Sequence, residues 1–327
     1  MSLGASPWIV RIPSRSPTLR TVDVGTDRTV GHARPAACAG PHGWDGGVPC
    51  DGRYRVPDGA WTSGVSVSAV VPVRYAFLDG PTPIGMAHRG GAIEHLENTR
   101  PAFEACVALG YRYLETDVRV TADGVPVVFH DPTLDRVTDR TGRVDQLPWS
   151  ELATARIGGR EPILRLEELL GAWPDVRFNL DVKAAGVLAP LARTVHRLGV
   201  ADRICLGSFS DARVAAARRI FGPAVCTSLG PRGVAALRLS SYSPRAAGLV
   251  RIPAGCAQVP LQLGGRALVD ERFIAAAHAR GLQVHVWTVN TEAEVTAMLD
   301  LGVDGVMTDR PAMLREVLER RGQWMPR

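Results

Sequence analysis

Seven short segments carry the residue types that could do chemistry: Ala87-His88-Arg89-Gly90-Gly91, Glu115-Thr116-Asp117, Phe129-His130-Asp131, Asn179-Leu180-Asp181-Val182-Lys183, Gly207-Ser208-Phe209, Trp287-Thr288-Val289-Asn290 and Thr308-Asp309. Glu115 and Asp117 are two residues apart, so on a strand both side chains point to one face. Asp181 and Lys183 repeat that spacing, and Asn179 extends their row. Three carboxylates converging on one rim repel unless a cation or protons intervene. With oxygen donors and no Cys or His between them, the expected cation is hard, Mg²⁺ or Ca²⁺. The competing reading pairs these acids with Arg across the rim and needs no cation. His88 and His130 each close an apolar run. Two imidazoles beside carboxylates, with Arg89 and Lys183 supplying positive charge, suit general acid–base work on an anion such as phosphate. His196, His278 and His285 fall on helical or mid-strand positions and read as packing or surface.

Composition singles out one of these residues. The chain has 37 Arg and one Lys, Lys183, and its three Asn are Asn98, Asn179 and Asn290. Where Arg is used almost everywhere, the lone Lys marks a place for a compact ammonium rather than a planar guanidinium.

Something must bring these segments together. From Ile84 onward, short β-branched runs alternate with helical stretches that carry start and stop signals. Thr99 with Pro101 opens the first helix and Gly110 closes it. Thr291-Glu292-Ala293-Glu294 is a capping box, and Gly302 ends that helix. Asp309 with Pro311 opens the last helix, which Gly322 ends. Nine runs read as strands: 84–88, 112–118, 126–130, 176–183, 203–208, 224–228, 256–260, 283–288 and 304–307. Only Thr121-Ala122-Asp123-Gly124 separates the second from the third, too little for a parallel crossover. The run 126–130 therefore folds back as a hairpin, with residue 117 across from about residue 130. His130 then stands beside Asp117, which favours its charged form. Eight parallel βα units over about 240 residues match the ~250 of a (β/α)₈ TIM barrel, whose active site lies at the C-terminal strand ends. A doubly wound open sheet is disfavoured, because no Gly-rich dinucleotide loop follows any strand.

In order along the chain, His88-Arg89-Gly90, Glu97-Asn98-Thr99, Glu115-Thr116-Asp117-Val118, Thr121-Ala122-Asp123-Gly124, His130-Asp131, Asn179-Leu180-Asp181-Val182-Lys183, Trp287-Thr288-Val289-Asn290 and Gly305-Val306-Met307-Thr308-Asp309 closely resemble the motifs of the glycerophosphodiester phosphodiesterase family. The resemblance runs from about residue 84 to 315. It implies a TIM barrel that hydrolyses glycerophosphodiesters to an alcohol and glycerol 3-phosphate with a divalent cation. It further implies His88 and His130 as the acid–base pair, Arg89 as a phosphate ligand, and Glu115, Asp117 and Asp181 as metal ligands. Lys183 then lies near the phosphate, Asn98 is a further substrate-side residue, and Trp287 is an apolar wall. A route through a cyclic phosphate is expected, because the substrate carries its own vicinal hydroxyl. Two positions depart from the pattern: the third ligand, usually Glu, is Asp181, and the Pro before Glu-Asn-Thr is Leu96. The alternatives are a related barrel phospholipase working on membrane lipid and a silent phosphate-binding protein.

The remainder bounds the setting. A content of 46 % hydrophobic and 22 % charged residues is that of a globular chain. No run approaches the ~20 apolar residues of a membrane span, and residues 1–30 hold no apolar core of a secretory signal. A cytoplasmic enzyme without stable membrane insertion is expected. Cys38, Cys50, Cys106, Cys205, Cys226 and Cys256 show neither CxxC spacing nor a disulfide framework, and read as reduced, small hydrophobes. The net charge of +5 is dispersed, with no basic run interleaved with aromatics, so nucleic acid is not an expected partner. Residues 1–72 hold 10 Gly and 8 Pro and lack apolar periodicity. They are expected to be a poorly structured extension before a barrel at 73–327.

Overall fold

The computed structural model describes residues 75–242 and 254–326, so the extension expected at 1–72 lies outside the described residues. In chain order the strands are β1 (Ile84–His88), β2 (Tyr113–Val120), β3 (Pro126–Val128), β4 (Arg156–Ile157), β5 (Glu161–Pro162), β6 (Arg177–Val182), β7 (Ile204–Gly207), β8 (Cys226–Thr227), β9 (Cys256–Pro260), β10 (Gln262–Leu263), β11 (Arg266–Ala267), β12 (Gln283–Trp287) and β13 (Gly305–Thr308). Strands β1, β2, β6, β7, β8, β9, β12 and β13 run parallel and follow one another around a barrel. The join between β8 and β9 is the thinnest. Among the described residues it consists of one bridge, Ser228 with Cys256, and two bonds: Leu229 N–H to Cys256 O (2.9 Å) and Gly255 N–H to Thr227 O (3.0 Å). The result is a nearly closed (β/α)₈ barrel, as the strand pattern predicts.

The period of two sorts each strand's side chains. On β6, Phe178, Leu180 and Val182 join the main apolar core, while Asn179 and Asp181 belong to polar contacts inside the barrel. Helices apply the longer period. In Leu188–Leu198 the buried residues Leu188, Leu191, Thr194 and Val195 form one stripe, and Gly199 ends the helix at φ +66°. Burying a side chain of Phe178 size contributes roughly 1.5–3 kcal/mol, so this shell carries much of the stability. Thr99 caps Arg100–Ala108 through Ala102 N–H, and Thr291 caps Glu292–Leu301 through Glu294 N–H, both as expected.

Two local expectations need correction, and one feature is new. The hairpin pairs Val118 with Val128, and Phe129 N–H bonds Asp117 O (3.0 Å), so Phe129 rather than His130 lies across from Asp117. The cause is the tip, a three-residue turn centred on Asp123, where Thr121 N–H bonds Val125 O (3.1 Å) and Gly124 N–H bonds Thr121 O (3.0 Å). Asp309 does not open the last helix: Pro311–Arg320 has Arg310 at its N-cap and no side-chain cap. Finally, the chain between the hairpin and β6 is an insertion with its own apolar cluster. Phe129, Leu134, Val144, Leu152, Ile157 and Ile163 are buried there beside the β4–β5 pair.

At the opposite end, Tyr75, Phe77 and Leu78 pack with Ile84, Met86, Tyr113 and Met307 to close the barrel base. Nearby, Asp304 accepts from His278 Nε2 (2.7 Å) and from Val284 N–H (2.7 Å), which ties Glu271–His278 to β12. That bond to Asp304 raises the His278 pKa above its ordinary value. A raised folded-state pKa adds stability below the unfolded value of ~6.5 that is lost as pH rises through the folded value. The side chain is 38 % exposed, so the gain stays below about 1 kcal/mol. His278→Gln should therefore lower the unfolding free energy at pH ~6 and hardly change it at pH ~9. Urea melts at both pH values check this, and an equal loss at both would refute it.

Candidate active site

The chemistry-bearing segments meet at the C-terminal ends of the barrel strands. Asp117, 1 % exposed, is the most enclosed charge there. Lys183 Nζ lies 2.7 Å from its Oδ1 and 2.6 Å from Asp181 Oδ2, so one ammonium bridges two carboxylates. Arg89 Nε lies 3.0 Å from Asp117 Oδ2, and Asn98 Nδ2 donates to the same oxygen (3.1 Å). Thr116 holds the Asn98 amide in that orientation through its hydroxyl (2.7 Å). Burial pushes the Asp117 pKa up, but Lys183 and Arg89 outweigh it and the net shift is downward. Lys183 is likewise penalised by burial and raised overall by Asp117 and Asp181. The expected repulsion among the acids is thus answered largely by cationic side chains.

Local backbone explains how Arg89 gets there. It adopts φ +52°, in the left-handed region that bulky residues avoid, and Asn98 adopts φ +60°. Arg89 N–H bonds Glu115 O (3.0 Å) and its carbonyl accepts from Asn98 N–H (2.9 Å), which holds the turn. Gly90 is needed between them. It has φ +77°, and a Cβ there would lie 2.8 Å from the Ala102 methyl.

Glu115 differs from its neighbours. Burial raises its pKa to about 7, and its Oε2 has no hydrogen-bond partner. Asp181 Oδ1 is also buried without a partner. These two orphaned oxygens, both carboxylate and both on the barrel interior, are what a hard cation would take up. The residues fit such an ion, with Glu115 and Asp181 offering free donors and Asp117 a shared one.

Each histidine is bound by a carboxylate on Nδ1. His88 lies 2.6 Å from Asp309 Oδ1, with its Nε2 3.6 Å from Glu115 Oε2. Asn290 Nδ2 donates to Asp309 Oδ2 (2.8 Å) and its Oδ1 accepts from Asp309 N–H (2.8 Å). Burial lowers the His88 pKa, but Glu115 and Asp309 more than offset it, and the net shift is upward. His130 lies 2.5 Å from Asp131 Oδ1. Arg136 bonds both Asp131 and Glu97, the latter through two nitrogens (2.7 and 2.9 Å). For His130 burial wins over Asp117 and Asp131, and the net shift is downward. The expectation that Asp117 favours the charged form of His130 is therefore corrected: its attraction is felt, but desolvation is larger. Trp287 packs edge-on against Phe209, centroids 5.5 Å apart, and Phe209 is 64 % exposed.

All nine residues singled out from the sequence lie at this end or on its rim. Sequence reasoning picked out Asp309, Asn290, Asp131 and Glu97 without their positioning roles, reading Asp309 as a helix cap, and missed Arg136, which joins Glu97 to Asp131. The scarcity of Asn was a usable signal for Asn290. No pattern signalled Arg136, which comes from the insertion.

A family model described as the glycerophosphoryl diester phosphodiesterase family matches residues 88–313. The chain belongs to this family. Among relatives, the "Probable glycerophosphodiester phosphodiesterase 2" of Mycobacterium tuberculosis is 39 % identical over 251 residues, covering 76 % of this chain and 95 % of that protein. A glycerophosphodiester phosphodiesterase of Caldanaerobacter subterraneus is 27 % identical, covering 72 % and 98 %. Among solved structures, an Oleispira antarctica phosphodiesterase in complex with its product sn-glycerol-3-phosphate superposes with TM-score 0.60 at 21 % identity, covering 73 % of this chain and 97 % of that one, which supports the fold. As a member of the family, this chain is a glycerophosphodiester phosphodiesterase.

The enzyme's single Lys gives a direct test. A planar guanidinium cannot sit as a point charge between Asp117 and Asp181. Lys183→Arg should lower kcat/KM by at least ~10-fold, about 1.4 kcal/mol of transition-state stabilisation. Steady-state kinetics on a glycerophosphodiester decide it, and wild-type values would show that charge alone suffices.

Proposed function

We propose that this enzyme cleaves glycerophosphodiesters to an alcohol and glycerol 3-phosphate by paired histidine catalysis with a divalent hard cation, Mg²⁺ or Ca²⁺. The observation that carries the proposal is that two carboxylate-bound histidines, with pKa values displaced in opposite directions, flank Arg89 and Lys183. Arg89 and Lys183 hold the anionic diester. His130, held neutral by burial, takes the proton of the hydroxyl vicinal to the phosphorylated oxygen. The deprotonated hydroxyl oxygen attacks phosphorus at an effective concentration far above that of water. The bond to the leaving alcohol breaks as His88, whose charged form Glu115 and Asp309 favour, gives its proton to the departing oxygen. The product is a cyclic phosphate, and water opens it with the two roles reversed. Glu115, Asp117 and Asp181 would hold the cation, which supplies charge withdrawal from a phosphoryl oxygen. Trp287 and Phe209 form an apolar lip on the pocket.

A second reading, cleavage of lysophospholipids, is favoured by the exposure of Phe209 beside Trp287. A human relative, 27 % identical and covering 71 % of this chain and 85 % of that one, is named a lysophospholipase D. No helix among the described residues is long and apolar enough to cross a membrane. Comparing glycerophosphocholine with a lysophosphatidylcholine, in wild type and Phe209→Ala, separates the two. Loss confined to the acylated substrate assigns the lip to an acyl chain.

Five outcomes test the mechanism. Exhaustive chelation should abolish turnover, and Mg²⁺ or Ca²⁺ should restore it; full activity without a cation overturns the cation role. A substrate with its vicinal hydroxyl replaced by hydrogen should be inert, since it lacks the nucleophile. Hydrolysis of that analogue at the normal rate would mean that water attacks directly. The kcat/KM–pH profile should be a bell, falling at low pH as His130 gains a proton and at high pH as His88 loses one. Asp309→Asn removes a group that raises His88, so it should move the alkaline limb to lower pH and leave the acid limb in place. His88→Ala and His130→Ala should each lose ~10²–10⁴-fold in kcat.

A further inference from the structure

Three cysteines that catalysis leaves unused converge at the other end of the barrel. Cys205 on β7 is paired in register with Cys226 on β8, and Cys256 opens β9 opposite Ser228. Three consecutive strands thus bring thiols together among Ile84, Met86, Tyr113 and Met307. None of the three residues is more than 1 % exposed. Their sulfurs all lie within 4.8 Å of one another, and Cys205 Sγ and Cys256 Sγ are 3.9 Å apart. A zinc–thiolate bond of ~2.3 Å sets sulfur–sulfur distances at about 3.8 Å in a tetrahedron and about 4.0 Å in a trigonal plane. The Cys205–Cys256 pair already stands at that spacing, and Cys226 needs to close by less than 1 Å.

The surroundings favour an ion over simple packing. His285, wholly buried, stands near enough to Cys256 to favour its thiolate, and its ring is held between Gln258 (3.4 Å) and Gln283 (3.0 Å). Arg218 reaches β8 from outside, donating to Thr227 Oγ1 (2.9 Å) and Ser228 O (3.0 Å), and its charge acts on Cys226. Three thiolates with a divalent cation carry one net negative charge. Arg218 balances it, whereas a monovalent ion would leave a second charge buried at high cost. The location also matters. The three strands span the thin β8–β9 join, where backbone pairing is sparsest.

We propose that Cys205, Cys226 and Cys256 bind a structural Zn²⁺ through their three thiolates and so clamp the β7–β8–β9 seam. Thiolate donors select this borderline ion over the hard cation of the active site. Because the site is buried, the ion enters as the chain folds and resists chelators that strip the catalytic rim.

The test is elemental analysis of the full-length protein, expressed with zinc and dialysed against EDTA. About one zinc per chain is expected, unchanged in Glu115→Gln and in Cys38→Ser/Cys50→Ser. Cys205→Ser/Cys226→Ser should lose it, with a lower Tm. Should that variant fail to fold, wild type expressed with Co²⁺ or Cd²⁺ still decides, through thiolate-to-metal charge-transfer absorption. Zinc lost with Cys38 and Cys50 overturns the assignment. So does metal-free wild type without charge-transfer bands and with every thiol alkylated on unfolding in the absence of chelator.

Discussion

The site depends on one buried carboxylate. Asp117 has one oxygen on Lys183 and the other shared by Arg89 and Asn98, with almost no contact with water. Removing a single partner from a buried ion pair typically costs ~3–5 kcal/mol, because the remaining charge is left uncompensated. That penalty fixes the neighbours. Arg89 must turn back over the end of β1, which it does only by entering the left-handed region, and Gly90 must follow because no side chain fits against Ala102. Asn98 makes the complementary turn and is itself locked by Thr116. The strain in two backbones is thus held by the electrostatics of one side chain.

The histidines show how two similar groups acquire opposite tendencies. Each has a carboxylate on Nδ1, so hydrogen bonding alone would raise both. His88 also faces Glu115 at 3.6 Å, as His130 feels Asp117, and at His88 the two carboxylates outweigh the burial penalty. His130 is opposed by Arg89 and Lys183, and burial prevails. Their anchors come from different substructures. Asp309 and Asn290 belong to the barrel, whereas Asp131 and Arg136 belong to the insertion that packs around Phe129 and Leu134. The insertion therefore completes the pocket, and Arg136 joins it to the barrel side through Glu97.

Strand order was legible in the sequence because each run is short, apolar and separated by capped helices. The row Asn179, Asp181, Lys183 was legible because a strand has a period of two. The hairpin was legible in kind and one residue out in register, since the turn is centred on Asp123 rather than between Asp123 and Gly124. Residues whose partners lie far along the chain were not. Asp309 followed by Pro311 has the local signature of a helix start, but its partner is His88, 221 positions away. Local preference lost to a tertiary ion pair. The same holds for the acids: whether they would meet arginine and lysine or a cation depended on distances that spacing does not encode, and here both answers apply to different oxygens.

The two ends of the barrel are joined by a row of amides rather than by apolar packing alone. Gln258 Nε2 donates to Asn179 Oδ1 (2.9 Å) and lies 3.4 Å from His285 Nδ1. His285 in turn reaches Gln283, whose amide donates to Leu78 O (3.2 Å) at the base. A polar row inside a barrel is tolerable only when each member is satisfied, and this one runs from the strand that carries Asp181 down to the closing segment. Gln258 sits on β9 two residues from Cys256, on the same face and next to the thin seam. If β9 shifted relative to β8, the amide that steadies Asn179 would move with it. Order at the catalytic rim therefore depends on closure at the base.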